Sequence, residues 1–417
     1  MALSFHDPAQ NLSSAVPLIG DTRPSFAQPP SGVAPSPLSG TGDKRQLVSI
    51  EQGYFIFTLM PSLFCKLRCP HCYLSLEQRK DKTVMSVENL RLTCEKVDRY
   101  YRDQKISQKT VVGYWYGGEP TSMGQDYFTS AADAINGVFC EAEGYRTKHT
   151  VLTALVGVKD DWFALFDRYG EGEVQSSYDG LMRGKGYMRK WDERARAVVN
   201  SGLRLSTISV VNRELLDQGP EETLDYLTDI GVAETSWLPF MWNDQNSTGA
   251  YGDFAPRMNE YSDFMMGLSE YWLKQRRAGV PVPEIGQMRF IAHQAETPHL
   301  ANIAGQTLFL LPNGDFVLPD YRHGWKEFMR EFGNIFEQDF EAILTSPARR
   351  RYLRRQVLRN QNIECMECDH SDKCIMEFWK DNREDDDCFG ASRYVNWVLE
   401  NQPRIKAITG NAAPVLY

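Results

Sequence analysis

Six short candidate strands separated by helical stretches restrict this chain to folds built on a parallel sheet. The runs are Tyr54–Leu59, Thr110–Tyr116, Thr150–Val156, Glu173–Ser177, Leu205–Val211 and Glu234–Phe240; the first is an unbroken stretch of strand formers. Helical patterns fall between them at 86–102, 123–141, 160–169, 190–201 and 215–229. Strands joined by helical crossovers roll such a sheet into a barrel or part of one, so the expected core is an α/β fold, a partial (β/α)6 parallel barrel over 47–280, closed by a helix at 257–277.

The flanks read differently. Residues 1–46 form a Pro/Ser-rich arm, expected to be disordered, with seven of the chain's 21 prolines. After Pro281 the texture changes to a small α+β unit over 281–400. It contains an expected hairpin at Thr307–Leu318 turning at Asn313-Gly314, a basic helical stretch at 340–360 and a helix at 391–401; a tail, 401–417, follows. Lys+Arg 46 against Asp+Glu 55 gives a net charge of −9, which argues against a nucleic-acid surface. No apolar run is long enough to cross a bilayer, and Tyr54–Phe64 is broken by Pro61. No secretory signal opens the sequence, so the expected setting is the cytoplasm, without a membrane partner.

Nine cysteines in 417 residues are too few for a disulfide scaffold, yet seven sit in two tight groups, as metal or cluster ligands do. Cys65, Cys69 and Cys72 follow the first strand with the spacing C-x3-C-x2-C. On a barrel that loop lies at the carboxyl end of strand one, where such folds keep their chemistry. Three thiolates can hold three corners of a 4Fe–4S cube and leave the fourth iron open to another ligand. The alternative is a zinc knuckle that borrows His71, which lies awkwardly between two of the cysteines. Strand two runs into Gly117-Gly118-Glu119-Pro120: the glycines permit close backbone approach, and the Glu119 carboxylate suits an ammonium. Cys94 and Cys140 fall in helical stretches and read as small core residues, while His149, His293 and His299 lack partners at metal-ligand spacing.

C-x3-C-x2-C after strand one and Gly-Gly-Glu-Pro after strand two resemble the radical S-adenosylmethionine (SAM) enzymes. That resemblance implies SAM chelating the open iron and a 5′-deoxyadenosyl radical that abstracts a substrate hydrogen. Ser176-Ser177-Tyr178-Asp179-Gly180 is similar to the family's S-x-D-G after strand four, which implies SAM contacts from Ser177 and from Arg189. By the same resemblance His71 and Leu238 touch the adenine, and Gly117, Gly118 and Glu119 bind the cofactor.

Cys365, Cys368, Cys374 and Cys388, spaced C-x2-C-x5-C-x13-C, make a complete ligand set for 4Fe–4S or for zinc. Downstream of a radical SAM core the group resembles the SPASM extension, whose auxiliary clusters are 4Fe–4S; Gly333-Asn334-Ile335 resembles the segment before it. A full extension holds two auxiliary clusters. Here no Cys lies between Cys140 and Gly314, Pro319 fills a second slot and Phe378 a third, so one auxiliary cluster is expected. Asp320 follows the empty slot, and sulfatase-maturing relatives use an Asp there as a proton acceptor, which implies a catalytic role; the plain alternative is an exposed Asp. Glu384-Asp-Asp-Asp387 reads as a solvated loop beside Cys388.

These features imply a radical SAM oxidoreductase that oxidises or cross-links side chains of a ribosomal peptide or protein, fed by a reductase with flavodoxin or ferredoxin. The Pro-rich arm cannot build a leader-binding domain, so a peptide substrate implies a separate leader-peptide-binding protein or direct barrel contacts. A small-molecule dehydrogenase or epimerase, acting on an amino sugar or amino acid, is the alternative; a zinc-bound scaffold is the non-enzymatic one. Tyr114, Trp115, Tyr116 and Trp237 do not decide between substrates, because aromatic residues at strand positions usually serve the core.

Overall fold

The computed structural model describes residues 50–241, 249–294, 303–319, 329–358, 365, 367–370 and 385–410. The arm at 1–46 lies wholly outside the described residues, which begin at Ile50, and Asp320, Cys374, Phe378 and 411–417 lie outside them too.

Seven strands run parallel in chain order: β1 (Tyr54–Leu59), β2 (Lys109–Trp115), β3 (Tyr145–Thr153), β4 (Glu173–Ser177), β5 (Arg204–Val210), β6 (Glu234–Leu238) and the short β7 (Glu284–Ile285). All six expected runs are strands. The largest boundary difference is in β3, which starts at Tyr145 because pairing with β2 (Lys109 opposite Tyr145, Gly113 opposite His149) draws a polar stretch into the sheet.

The crossovers are α1 (Val87–Asp103), α2 (Gln125–Val138), α3 (Phe163–Gly170), α4 (Lys185–Asn200) and α5 (Pro220–Ile230), followed by the closing α6 (Met258–Arg277). In α1, the Ser86 hydroxyl accepts from Asn89 N–H at 3.1 Å, and Leu90, Cys94, Val97 and Tyr101 form a buried stripe at helical spacing. Each such apolar side chain contributes about 1.5–3 kcal/mol on burial. Cys94 is a core residue, whereas Cys140 is half-buried and its carbonyl closes the turn into β3, accepting from Tyr145 N–H at 3.2 Å.

The C-terminal strands prolong the same sheet. β8 (Thr307–Leu310) lies parallel to β1, and β9 (Asp315–Pro319) and β10 (Met329–Asn334) follow antiparallel. The β8–β9 hairpin turns through Asn313-Gly314, closed by Gly314 N–H to the Leu311 carbonyl at 3.0 Å. After the short helix Phe340–Leu344, the longer described helices are α7 (Pro347–Leu358) and α8 (Ser392–Thr409). α8 runs past the expected end at 401 and through Pro403, with Val398 and Ile405 buried on one face. Among the described residues, no helix is long and apolar enough to cross a membrane.

Alternation along β2 sorts its aromatic residues. Trp115 is buried against Phe128, ring centroids 4.8 Å apart, and donates from Nε1 to His149 Nδ1 at 3.1 Å. Tyr116 points the other way and stacks between Tyr73 (6.1 Å) and Tyr114 (5.9 Å). Burial lowers the His149 pKa to about 4, against an ordinary value near 6.5. An imidazole whose folded-state pKa is depressed binds its proton in the unfolded chain first. Stability is therefore full above about pH 6.5 and falls as the pH drops toward 4, by about 3 kcal/mol in all. His149→Gln, which keeps an acceptor for Trp115, is expected to lose less stability than the parent between pH 7 and pH 4 in denaturant titrations. Equal losses in the two chains would refute a neutral buried imidazole.

Candidate metal and cofactor centre

The chain between β1 and residue 80 folds back on itself at the carboxyl end of the strands. Cys65 N–H donates to the Arg79 carbonyl at 2.9 Å, Cys72 N–H to the Cys69 carbonyl at 3.2 Å, and Arg79 NH1 to the Leu67 carbonyl at 3.1 Å. These bonds turn Cys65, Cys69 and Cys72 toward one cavity of about 200 Å³. Burial pushes the Cys65 thiol up to about 12, and the neighbouring Glu119, Cys69 and Cys72 add to the rise. Burial likewise raises Cys69 and Cys72, while the Arg183 and Arg79 cations pull in the other direction. Among the described residues, no three His, Cys, Asp or Glu side chains are close enough to hold a single ion. A cluster spans more space, because each thiolate binds a different iron, and its own positive charge supplies the thiolate form that burial opposes. Three thiols of one loop lining a single cavity fit that group.

Gly117 and Gly118 pack against this loop. A Cβ on Gly118 would stand 2.3 Å from the Phe64 carbonyl oxygen and 2.4 Å from that of Leu63, and one on Gly117, at φ +110°, would stand 2.8 Å from that of Ser62. The close approach is thus to the cysteine loop's own backbone, sealed by Glu119 N–H to the Phe64 carbonyl at 3.0 Å. The Glu119 carboxylate is also committed internally. Oε1 accepts from Thr121 N–H (3.2 Å), Thr121 Oγ1 (2.7 Å) and Thr153 Oγ1 (2.7 Å), and Oε2 from Ala154 N–H (2.9 Å). Four donors match a carboxylate's ordinary capacity. Glu119 ties the β2 turn to the end of β3, a role that its reading as an ammonium partner did not anticipate.

At the end of β4, Ser177 lines the cavity, as does Leu238 at the end of β6. Arg189 does not. It is exposed on α4, which begins at Lys185 and buries Trp191, Ala195 and Val198, a stripe on the opposite side from Arg189. Two guanidinium side chains line the cavity instead, those of Arg79 and Arg183; Arg183 Nε donates to Asp179 Oδ2 at 2.6 Å and its NH1 donates to Tyr187 Oη at 3.1 Å. Asp179 is 1% exposed and also accepts from Val210 N–H at 2.7 Å. Burial alone would raise its pKa, but Arg183, His71 and the Val210 N–H hold it below the usual carboxylate range. His71 Nε2 lies 3.5 Å from the same carboxylate, and burial lowers its pKa to about 4. Its Nδ1 is buried without a hydrogen-bond partner among the described residues, and so is the hydroxyl of Ser209, another cavity residue. Two orphaned polar atoms beside a fixed cation fit a polar ligand in this space. Asp179 and Arg183 were detectable as an i, i+4 acid–base pair; nothing in the sequence marks Ser209.

Of the second cysteine group, Cys365, Cys368 and Cys388 are described, and all are half-buried. Cys368 Sγ accepts from His370 N–H and Cys388 Sγ from Ser392 N–H, each at 3.3 Å. Such N–H···S bonds stabilise a thiolate and tune any cluster that it holds. The acidic stretch beside Cys388 differs from its reading as a solvated loop, since Asp387 is 6% exposed and both its oxygens are bonded. The fourth cysteine, Cys374, and Asp320 fall outside the described residues.

Residues 302–369 match the SPASM family, described as an iron-sulfur cluster-binding domain. Among solved structures, the fold is similar to native anSMEcpe with bound AdoMet and Kp18Cys peptide (TM-score 0.67, 14% identity, covering 86% of this chain and 99% of that one). It is also similar to Streptococcus suis SuiB bound to S-adenosylmethionine (TM-score 0.52, 15% identity, 78% and 72%). At such identities the likeness is one of fold. The fold is therefore similar to that of these AdoMet-bound structures, and the SPASM match is confined to the segment that includes β8, β9 and β10.

Proposed function

We propose that this chain is a cytoplasmic radical SAM oxidoreductase that oxidises or cross-links side chains of a ribosomal peptide or an exposed protein segment. One observation carries the reading: the three thiols of the first group meet Gly117, Gly118, Ser177 and Leu238 around one cavity at the carboxyl end of a parallel sheet. When bound there, a 4Fe–4S cluster and SAM supply a 5′-deoxyadenosyl radical for hydrogen abstraction. The chain's own residues do the positioning. Cys65, Cys69 and Cys72 hold the cluster, and the Gly117-Gly118 turn sets their loop. Ser177 offers a hydroxyl to the SAM carboxylate, and Arg183 supplies the cation that the exposed Arg189 does not. His71 and Leu238 flank the adenine. Cys365, Cys368, Cys374 and Cys388 hold one auxiliary 4Fe–4S cluster as electron acceptor, and Asp320 takes the substrate proton.

A peptide substrate is supported by the neighbours: anSMEcpe was solved with Kp18Cys peptide and SuiB with its precursor peptide SuiA. A flavodoxin- or ferredoxin-linked reductase would deliver the electron, and a separate protein would present any leader peptide.

The test is anaerobic reconstitution, followed by iron, sulfide and zinc analysis and by 5′-deoxyadenosine assay under reduction. Two clusters' worth of iron and sulfide with reduction-dependent 5′-deoxyadenosine release are expected. Stoichiometric zinc without sulfide would remove the enzyme reading. Incubation with peptides encoded beside the gene should then give products lacking two hydrogens; turnover of amino sugars alone would replace the peptide reading.

A further inference from the structure

We propose that Asp387 is the positioning residue of the auxiliary cluster: it fixes Cys388 by binding it to the helix α6. The inference rests on the reading of Cys388 as a cluster ligand. Asp387 has two carboxylate oxygens and four donors. Oδ1 accepts from Cys388 N–H at 2.8 Å and from Ser392 Oγ at 2.7 Å. Oδ2 accepts from Ser262 Oγ at 2.6 Å and from Arg393 N–H at 3.2 Å. One buried side chain therefore joins the cysteine's own amide, the first turn of α8 and a serine of α6. The preceding carboxylate, Asp386, caps α6 by accepting from Met258 N–H at 3.1 Å and Asn259 N–H at 2.7 Å, although those residues are more than a hundred positions away in the chain. Arg393 closes the joint with NH2 to Asp263 Oδ1 at 2.7 Å.

The consequence for chemistry follows from where the sulfur ends up. With the Cys388 amide held by Asp387, its Sγ faces Ser392 N–H at the amino end of α8, where the helix dipole favours a thiolate. A second described thiol of the group, Cys368, is tied to the same helix through the neighbouring His370, whose Nε2 lies 2.7 Å from Asn396 Oδ1. A ligand held this way loses little freedom on cluster binding, and a fixed negative charge beside it disfavours the reduced state. Two properties thus depend on Asp387: how firmly the cluster is held, and its potential.

The experiment uses the full chain with Cys65, Cys69 and Cys72 all replaced by Ala, so that only the auxiliary cluster reports. Cys388→Ala, Asp387→Asn and Ser262→Ala are compared by iron and sulfide content, chelator-driven iron release, and EPR-monitored redox titration. Cys388→Ala should lose most of its iron; full iron there would overturn the ligand reading itself. Asp387→Asn should release iron at least about tenfold faster and shift the midpoint upward. A tenfold change in the reduced-to-oxidised ratio corresponds to 59 mV for a one-electron couple. Ser262→Ala keeps the charge and removes the tether, so it should speed iron release several-fold with little change in midpoint. Parent-like iron release in both Asp387→Asn and Ser262→Ala overturns the proposal, as does an Asp387→Asn midpoint that does not move. If Asp387→Asn fails to fold, Ser262→Ala decides alone: parent-like release overturns the proposal, and faster release supports it.

Discussion

Cys69→Ala is expected to abolish reduction-dependent 5′-deoxyadenosine release, taking it below detection, while the apo chain keeps its fold. Cys69 is the middle donor of the first group, and its loop position is set by backbone bonds that an alanine keeps, such as Cys72 N–H to the residue-69 carbonyl. Trimming a half-buried thiol costs roughly 1 kcal/mol or less of stability. It nevertheless removes one of three ligands, and the remaining two cannot fix a cube with a single open corner. Cys368→Ala is the counterpart at the second site. It should spare SAM cleavage and suppress oxidised product, because hydrogen abstraction would proceed without an acceptor for the substrate electron. Comparing 5′-deoxyadenosine with product by chromatography and mass spectrometry separates the two. Residual release from Cys69→Ala would refute the proposed cluster ligands, and normal product from Cys368→Ala would refute the electron-relay role.

What was legible beforehand was whatever repeats over short range. The β1 run and the α1 stripe are local patterns, and both appear at the expected places. The two cysteine groups are legible for the same reason, since ligand spacing on one loop is a local constraint. Long-range pairing leaves no such trace. Nothing near Thr307 announces that β8 lies parallel to β1, or that Thr58 and Thr307 share a buried hydroxyl contact of 2.9 Å. The acidic stretch ending in Asp387 reads as solvated until its partners, Met258, Asn259 and Ser262, are seen across the fold. Motif spacing also does not reveal which way a helix turns: α4 starts at Lys185 and Arg189 is exposed on it, while Arg183 lines the cavity with the thiols.

The same distinction between spacing and packing predicts that Gly118→Ala will be nearly as damaging to the first cluster as losing a cysteine. The backbone at Gly118 is not in the left-handed region, so alanine meets no conformational penalty there; the obstacle is space alone. The new methyl would stand 2.3 Å from the Phe64 carbonyl oxygen and 2.4 Å from that of Leu63, and neither backbone group can rotate aside as a flexible side chain would. Relief requires the strand-one loop to retreat, which breaks Glu119 N–H to the Phe64 carbonyl and displaces Cys65, the next residue in the chain. Overpacking of this kind costs about 1–3 kcal/mol, small against the fold but sufficient to misplace a ligand. Iron bound at the first site, measured with Cys365 and Cys368 replaced, should fall at least about tenfold. Gly124→Ala is the matched control: at φ +87° it carries conformational strain, yet nothing lies within 4 Å of its Cβ, so it should lose some stability and keep its iron. If Gly118→Ala retains as much iron as Gly124→Ala, the turn after β2 does not set the cysteine loop.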